Sequence, residues 1–239
     1  MTISFAKGLF ITGTDTGVGK TVVTAAISLA CKSAGKQVSP MKPIQSGAEH
    51  TSNGLRAPDL DFVLELLQLK YHKDMCPYML EAPCSPHLAA EMVSIYLETN
   101  EILLAYEALQ AKYPTVIVEG AGGVMVPYNE NDTMLDLMKA MDLPIILTTR
   151  AGLGTINHTL LSLACLRNAG LTVAGVVLVD TMDTQWGFIE QDNLITINTF
   201  GDVPILGYIP FFNRMNEPTF ARLYLAERGQ KILKRIARL

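Results

Sequence analysis

Nine residues, GTDTGVGKT from Gly13 to Thr21, leave this chain few folds to choose from. A short apolar run, Leu9-Phe10-Ile11, precedes them, and a helical pattern of Val22, Val23, Ala26, Ile27 and Ala30 follows. Strand, glycine-rich turn and helix in that order make a phosphate-binding loop. Unpaired backbone N–H groups at a helix start point at an anion, and the helix dipole favours negative charge there. Glycine lets the backbone curl close to phosphate with no Cβ in the way. Lys20 is placed to reach the β- and γ-phosphates, and the Thr21 hydroxyl to ligate Mg²⁺. The spacing is slightly irregular: counting back from Gly19 puts Thr14 where the first glycine is expected, with Gly13 one residue early. A helix-starting loop that only happens to hold Gly and Lys is the plain alternative. The strand before the loop and its intact Gly-Lys-Thr ending argue against that, so nucleoside triphosphate binding is the first functional expectation.

A loop of this kind needs a sheet behind it. Gln37–Met41 follows the first helix and a break at Gly35, and Thr115–Glu119, Leu143–Leu147 and Val173–Val179 are short, continuous and rich in β-branched residues. Val203–Ile209 is a weaker example. Strands without polar alternation suit a parallel sheet covered on both faces. Helical spacing runs through Leu60–Leu69, Ile102–Ala111, Met134–Met141, Ile156–Asn168 and Phe220–Ile236. The alternation predicts an α/β fold of the P-loop NTPase type, mainly parallel, with helices on both faces and right-handed crossovers. With 239 residues, 49% of them hydrophobic and 18% charged, one continuous core is feasible and disorder is not. We find no repeat or linker and expect a single domain over residues 1–239. Tyr71–Pro86, with Pro77, Pro83 and Pro86, reads as an irregular excursion before a helix at Ser85-Pro86-His87. Tyr128 and the Met134-Leu135 region are expected to cover the core.

In such sheets ligands gather beyond the carboxyl ends of the strands. Three segments sit there: Met41 to Gly47, Glu119 to Gly123, and Thr148 to Thr155. Glu119 ends a strand just before glycines, and an unpaired carboxylate at a buried strand end is costly, which points to a metal ligand. Asp59 follows Pro58 at a helix start, where it is either an N-cap or a second ligand. Magnesium takes hard oxygen donors, typically one or two carboxylates with phosphate and water. Thr21, Asp59 and Glu119 would supply them. A lone lysine is usually a surface charge. Lys42, however, follows a buried-looking strand and precedes Pro43 in a loop facing the phosphate site. Two lysines near one triphosphate suggest phosphoryl transfer, where catalysis is mainly positioning and charge neutralisation.

Together the blocks GTDTGVGKT, Lys42 to Gly47 (KPIQSG), Pro58-Asp59, Val118 to Gly123 (VEGAGG), Leu153 to His158 (LGTINH) and Ile209 to Phe212 (IPFF) resemble the dethiobiotin synthetases. The likeness runs from about Gly8 to Pro210, and its specificity lies in the order and spacing of the blocks. It implies an ATP- and Mg²⁺-dependent enzyme that joins CO₂ to 7,8-diaminopelargonate and closes a ureido ring, releasing ADP and phosphate. Lys20 and Lys42 would stabilise the carbamate and the transferring phosphoryl, with Thr16 and Ser46 beside the reacting end. Gly17, Val18, Gly19, Lys20, Thr21 and Val22 would hold the triphosphate. Thr21, Asp59 and Glu119 would hold Mg²⁺. Gly120, Ala121 and Gly122 would let the backbone approach substrate and nucleotide, and Asp180, Ile209, Pro210 and Phe211 would flank the base. Gly154, Thr155, Ile156 and Asn157 would bind the substrate carboxylate through N–H groups at a helix start, from the partner subunit of a homodimer. A Gly-rich turn with Thr155 as N-cap is compatible with that role.

Two positions depart from the family pattern. Gly17 stands where well-known members carry an acidic residue, so any substrate contact made by that side chain is absent. Val179-Asp180 stands where those members present Asn-Asp to the adenine base, so base recognition would rest on backbone near Pro210 and Phe211. The four histidines have no metal-ligand spacing and are assigned no chemistry.

The main rival is a P-loop switch ATPase of the partitioning or division-site type, marked by a lysine where this chain has Asp15. Such proteins also carry a membrane-targeting tail or a basic DNA surface, and Leu223 to Leu239 is basic and amphipathic. A net charge of −4 argues against a nucleic-acid groove, and Lys231, Lys234, Arg235 and Arg238 read as a solvated helix face. A cobalamin-type amide ligase would add a glutaminase domain. Cys31, Cys76, Cys84 and Cys165 form no CxxC pair and read as free thiols. With neither a leader nor a membrane span evident, no membrane partner is expected and the expected compartment is the cytoplasm.

Overall fold

Alternate residues along each central strand go to opposite cores. Leu9 and Ile11 point to one side with Ile117, Ile146 and Val177. Phe10 points to the other with Val116, Val118, Ile145, Leu147, Val176 and Leu178. A strand apolar at every position has two faces to bury, and the fold covers both. The computed structural model describes residues 7–52, 54–183 and 186–238. The expected N-terminal reading of no leader falls in part on residues 1–6, and Leu239 also lies outside the described residues.

The elements run β1 (Gly8–Gly13), α1 (Lys20–Ser33), β2 (Val38–Met41), β3 (Ile44–Ser46), β4 (Glu49–Thr51), β5 (Gly54–Arg56) and α2 (Pro58–Leu67). After a 3₁₀ turn at Lys73–Met75 come β6 (Tyr78–Leu80), α3 (Pro86–Glu91), α4 (Thr99–Gln110), β7 (Thr115–Glu119) and α5 (Met134–Met141). The chain closes with β8 (Ile145–Arg150), α6 (Thr155–Asn168), β9 (Val173–Val179), α7 (Phe188–Gly201), β10 (Ile205–Ile209) and α8 (Pro218–Ile236). Among the described residues six strands form the main sheet in the order β10-β9-β8-β1-β7-β2, with every pair parallel. β1 is flanked by β7 and β8, so the loop after it opens where the strand order reverses. That crevice is where an open α/β sheet binds ligands.

Helices α1, α2 and α8 cover one face, through Val23, Ile27, Val63, Leu67, Leu225 and Ile232. α4, α5, α6 and α7 cover the other, through Ile102, Leu109, Leu137, Leu163 and Ile197. Gly229 lets α8 lie against α1: a Cβ there would stand 1.9 Å from the Ala26 carbonyl oxygen. The apolar stripe of the C-terminal helix, Ala221, Leu225, Ile232 and Ile236, is buried, while Lys231, Lys234 and Arg235 face solvent. Tyr128 and Met134 are buried as expected.

The expected strands and helices are present within two or three residues at most ends. α7 and the short strands β3 to β6 are additions. The Tyr71–Pro86 excursion contains β6, which pairs in parallel with β3.

Candidate active site

Loop residues 14–19 leave β1 and turn into α1 with Gly19 as its N-cap, at a left-handed φ of 93°. A Cβ on Gly19 would also lie 2.6 Å from Val179 Cγ1, so both backbone and packing require glycine. Gly17 is left-handed too, at φ 72°, with open space where a Cβ would stand. Lys20 curls back over the loop and donates to the Asp15 carbonyl at 2.8 Å. Burial, then the nearby Lys42 charge, lowers the Lys20 pKa from 10.5 to about 8.

Two strand ends and the first turn of α2 deliver the remaining charges, Lys42 after β2, Glu119 at the end of β7 and Asp59 in α2. Thr21 Oγ1 donates to Glu119 Oε1 at 2.9 Å. Lys42, just beyond β2, reaches the same oxygen at 2.7 Å and Asp59 Oδ2 at 2.8 Å. Burial pushes the Lys42 pKa down, but Glu119 and Asp59 outweigh it, and the pKa ends above the ordinary lysine range. Asp59 has the converse balance: burial raises its pKa, the Lys42 ammonium more than offsets that, and the carboxylate is held below its usual range.

The N-cap of α2 is Ala57, with Pro58 in the first turn, so Asp59 is not the cap that a Pro-Asp helix start suggests. Its carboxylate is turned to Lys42 instead. A similar correction holds at α6. Gly154 is the cap, at φ 89°, and the Thr155 side chain is fully buried beneath it.

Thr16, Gly17, Gly19, Lys20, Thr21, Lys42, Ser46, Asp59, Glu119, Ala121 and Gly122 line one cavity of about 690 Å³. Ser46 Oγ is buried there with no hydrogen-bond partner among the described residues. A buried hydroxyl without a partner, on a residue that lines a cavity, is a polar group left to be accounted for. The rest of the lining is Pro83-Cys84-Ser85-Pro86, Ile44, Gln45, Val126 and Thr181. The chain entering Pro83-Pro86 is tied to the end of β3 by Gly47 N–H to the Ala82 carbonyl at 3.2 Å and Ala48 N–H to the Leu80 carbonyl at 2.9 Å. Sequence reasoning gives Pro83 to Pro86, Val126 and Thr181 no site role, although it marks the proline-rich stretch as an irregular excursion before the helix that begins at Pro86.

Val18, Val22, Gly120, Asp180, Ile209, Pro210 and Phe211 do not line the cavity. The Ile209 side chain belongs to the core, so only its backbone is available to a ligand. Asp180 N–H donates to the Ile209 carbonyl at 3.0 Å, which sets the ends of β9 and β10 side by side. The Asp180 carboxylate already accepts from the Tyr208 hydroxyl. Gly154, Thr155, Ile156 and Asn157 lie outside this chain's own cavity.

The oxygens of Asp59 and Glu119 meet at Lys42, and the Thr21 hydroxyl joins them through Glu119. No cluster of three or more His, Cys, Asp or Glu residues suited to a metal exists among the described residues. Two carboxylates and a hydroxyl beside a phosphate loop fit Mg²⁺, which completes its shell with phosphate and water, better than a soft or fully caged ion.

Residues 7–219 match the family model described as an AAA domain. ATP-dependent dethiobiotin synthetase of Anoxybacillus flavithermus is 38% identical over 205 residues, 85% of this chain and 91% of the relative. The enzyme of that name from Thermodesulfovibrio yellowstonii is 38% identical over 218 residues, covering 88% and 91%. The chain belongs to the dethiobiotin synthetase family.

Solved structures extend the fold beyond the dethiobiotin synthetase family. A ParA family ATPase from Chlorobium tepidum superposes with a TM-score of 0.58 at 16% identity, covering 94% of this chain and 98% of that one. The cell division ATPase MinD of Pyrococcus furiosus gives 0.56 at 18%, covering 97% and 99%. At that identity the likeness establishes a P-loop NTPase fold and no more.

Proposed function

We propose that this chain makes dethiobiotin from 7,8-diaminopelargonate, CO₂ and ATP, as an ATP- and Mg²⁺-dependent cyclo-ligase. The observation that carries the reading is the second lysine. Lys42 arrives from the end of β2, is buried between Asp59 and Glu119, and shares its cavity with Lys20 and the unpartnered Ser46 hydroxyl. A binding module gains nothing from burying a second ammonium beside the phosphate loop. A phosphoryl-transfer site does.

In this reading one substrate amine adds to CO₂, loses a proton and becomes a carbamate. A carbamate oxygen attacks the γ-phosphorus, the bond to the β–γ bridging oxygen breaks, and ADP leaves. The second amine then attacks the carbamoyl carbon and expels phosphate, and loss of its proton leaves the closed ring. Lys20 and Lys42 hold the anionic oxygens of carbamate and phosphoryl, with Thr16 and Ser46 donating beside them. Thr21, Asp59 and Glu119 would hold Mg²⁺, which when bound neutralises charge on the β- and γ-phosphate oxygens. The base would meet the backbone of Asp180, Ile209, Pro210 and Phe211, because the Asp180 carboxylate is already engaged by Tyr208.

The substrate carboxylate would meet Gly154 to Asn157 of a partner subunit in a homodimer. Leu153 beside that segment is 90% exposed and Leu161 on the same helix is 62% exposed, which supports an apolar contact there. A cytoplasmic location is part of the reading. No helix among the described residues is long and apolar enough to cross a membrane.

The switch-ATPase alternative is not favoured. Asp15 stands where such proteins need lysine, and it is paired with Arg150 at 3.0 Å. The apolar face of α8 is already occupied by the core. The decisive measurement is ATP hydrolysis with diamine and bicarbonate, against hydrolysis with DNA or anionic vesicles. Turnover dependent on the diamine supports the reading. Stimulation by DNA or vesicles alone would falsify it.

A further inference from the structure

β8 grips the phosphate loop along consecutive residues. Thr14 N–H donates to the Thr148 carbonyl at 3.0 Å, and Arg150 pairs with Asp15. Between them Thr149 turns a fully buried hydroxyl into a cluster of threonines. Its Oγ1 lies 3.1 Å from Thr14 Oγ1, 2.7 Å from Thr155 Oγ1 and 3.0 Å from Thr159 Oγ1, which donates to it. Thr155 and Thr159 are themselves 3.4 Å apart. One hydroxyl offers one donor and two acceptor sites, so Thr149 can satisfy all three neighbours. A strand position with no exposure is natural territory for valine, which has the same shape. A hydroxyl there is explained by its partners: the phosphate loop on one side and the first turn of α6 on the other.

We infer that Thr149 is a positioning residue whose hydroxyl fixes the start of α6 against the phosphate loop. This rests on the proposed function, in which Gly154 to Asn157 receives the substrate carboxylate of the other subunit. Thr149 then sets where one subunit's nucleotide loop stands relative to the turn that serves its partner's diamine. The phosphate loop keeps its Thr148 and Arg150 contacts without the hydroxyl. The α6 turn loses the tie that draws Thr155 inward.

Thr149→Val removes the hydroxyl at constant shape, and Thr149→Ser keeps it. Initial rates are measured with diamine and ATP varied separately, and a non-hydrolysable ATP analogue is titrated by calorimetry. For Thr149→Val the KM for the diamine should rise about tenfold, in line with a lost buried hydrogen bond, with analogue affinity within about twofold of wild type. Thr149→Ser should restore the diamine KM. An unchanged diamine KM, equal losses for both substrates, or a serine variant as impaired as valine overturns the inference. Should Thr149→Val not fold, Thr159→Val takes one partner from the same hydroxyl and must raise the diamine KM selectively; if it does not, the inference is wrong. A wild-type protein that binds the ATP analogue but not the diamine overturns the functional reading itself, and this inference with it.

Discussion

Thr21 and Lys42 meet on a single oxygen: both donate to Glu119 Oε1, at 2.9 and 2.7 Å. The first residue lies in the first turn of α1 after the phosphate loop and the second follows β2, so Glu119 joins the two halves of the site. Buried charges persist only where they are paired and hydrogen-bonded. Here the pairing gathers the oxygens suited to a divalent ion around the ammonium suited to a carbamate. In the proposed reaction Asp59 and Glu119 would hold the ion and Lys42 would face the substrate.

Removing Lys42 separates its two roles. Lys42→Ala should cut turnover by on the order of 10³, as loss of a transition-state charge does, while a titrated ATP analogue still binds. It also leaves Asp59 and Glu119 facing each other, and breaking a buried pair from one side costs about 3 kcal/mol or more. The variant should therefore melt below wild type in EDTA and recover more than wild type on adding Mg²⁺. Wild-type rates, or a melting temperature indifferent to Mg²⁺, would remove Lys42 from the site's chemistry.

Asp59 offers a cleaner separation, because Ala57 and not Asp59 caps α2. Asp59→Ala should raise the Mg²⁺ concentration for half-maximal turnover by about tenfold, as loss of one of few carboxylate ligands does. Helix content by circular dichroism should be unchanged. An unaltered metal titration would leave Asp59 as a partner of Lys42 and nothing more.

The low pKa of Lys20 carries a pH signature. Folded Lys20 loses its proton near pH 8, whereas the unfolded chain keeps it to about 10.5. Between those values the unfolded state binds the extra proton, so this residue's cost to folding, full below pH 8, is relieved as pH rises to 10.5. Phosphate binding needs the ammonium, so kcat/KM for ATP should fall above pH 8, about tenfold per unit, as the free-enzyme group deprotonates. Lys20→Arg should flatten that limb of the profile even at a lower maximum, since guanidinium keeps its proton throughout. A Lys20→Arg profile still falling from pH 8 would assign the limb to another group.

The central sheet is legible in the sequence for a physical reason. Residues such as Phe10 and Ile11 must both be apolar when each faces a different helical layer, and that continuous pattern survives without any alignment. α7 is hidden because its polarity runs the other way: Phe188, Ile195 and Phe200 are exposed while Asn193 is buried, donating to the Ala151 carbonyl at 2.8 Å. β3 and β6 are three residues each, too short for periodicity, yet their pairing carries Ser46 to the cavity and leads the chain into the Pro83 to Pro86 part of its lining. The charged centre, by contrast, can be read from strand ends alone. Lys42 and Glu119 come together because β2 and β7 are neighbours, with Met41 beside Val118. The role of Asp59 stays open in sequence because a cap and a ligand both follow proline at a helix start. Only the direction of the side chain tells them apart.

The close approach of α8 to α1 predicts a stability effect remote from the chemistry. Gly229 is buried where the two helices cross, and a methyl there would meet the Ala26 carbonyl at 1.9 Å and the Ala30 Cβ at 3.0 Å. Backbone cannot yield as a flexible side chain does, so α8 must shift outward and loosen Leu225 and Ile232. Overpacking of this kind costs about 3 kcal/mol, which in a domain of this size lowers Tm by about 6–12 °C. Helix propensity alone would favour alanine by about 1 kcal/mol, so the two effects have opposite signs and the contact should win. Gly229→Ala should therefore melt lower while its KM values stay at wild type, because the phosphate loop is anchored from β1 and β8 and not from α8. A variant as stable as wild type would mean that the helices can part here at no cost.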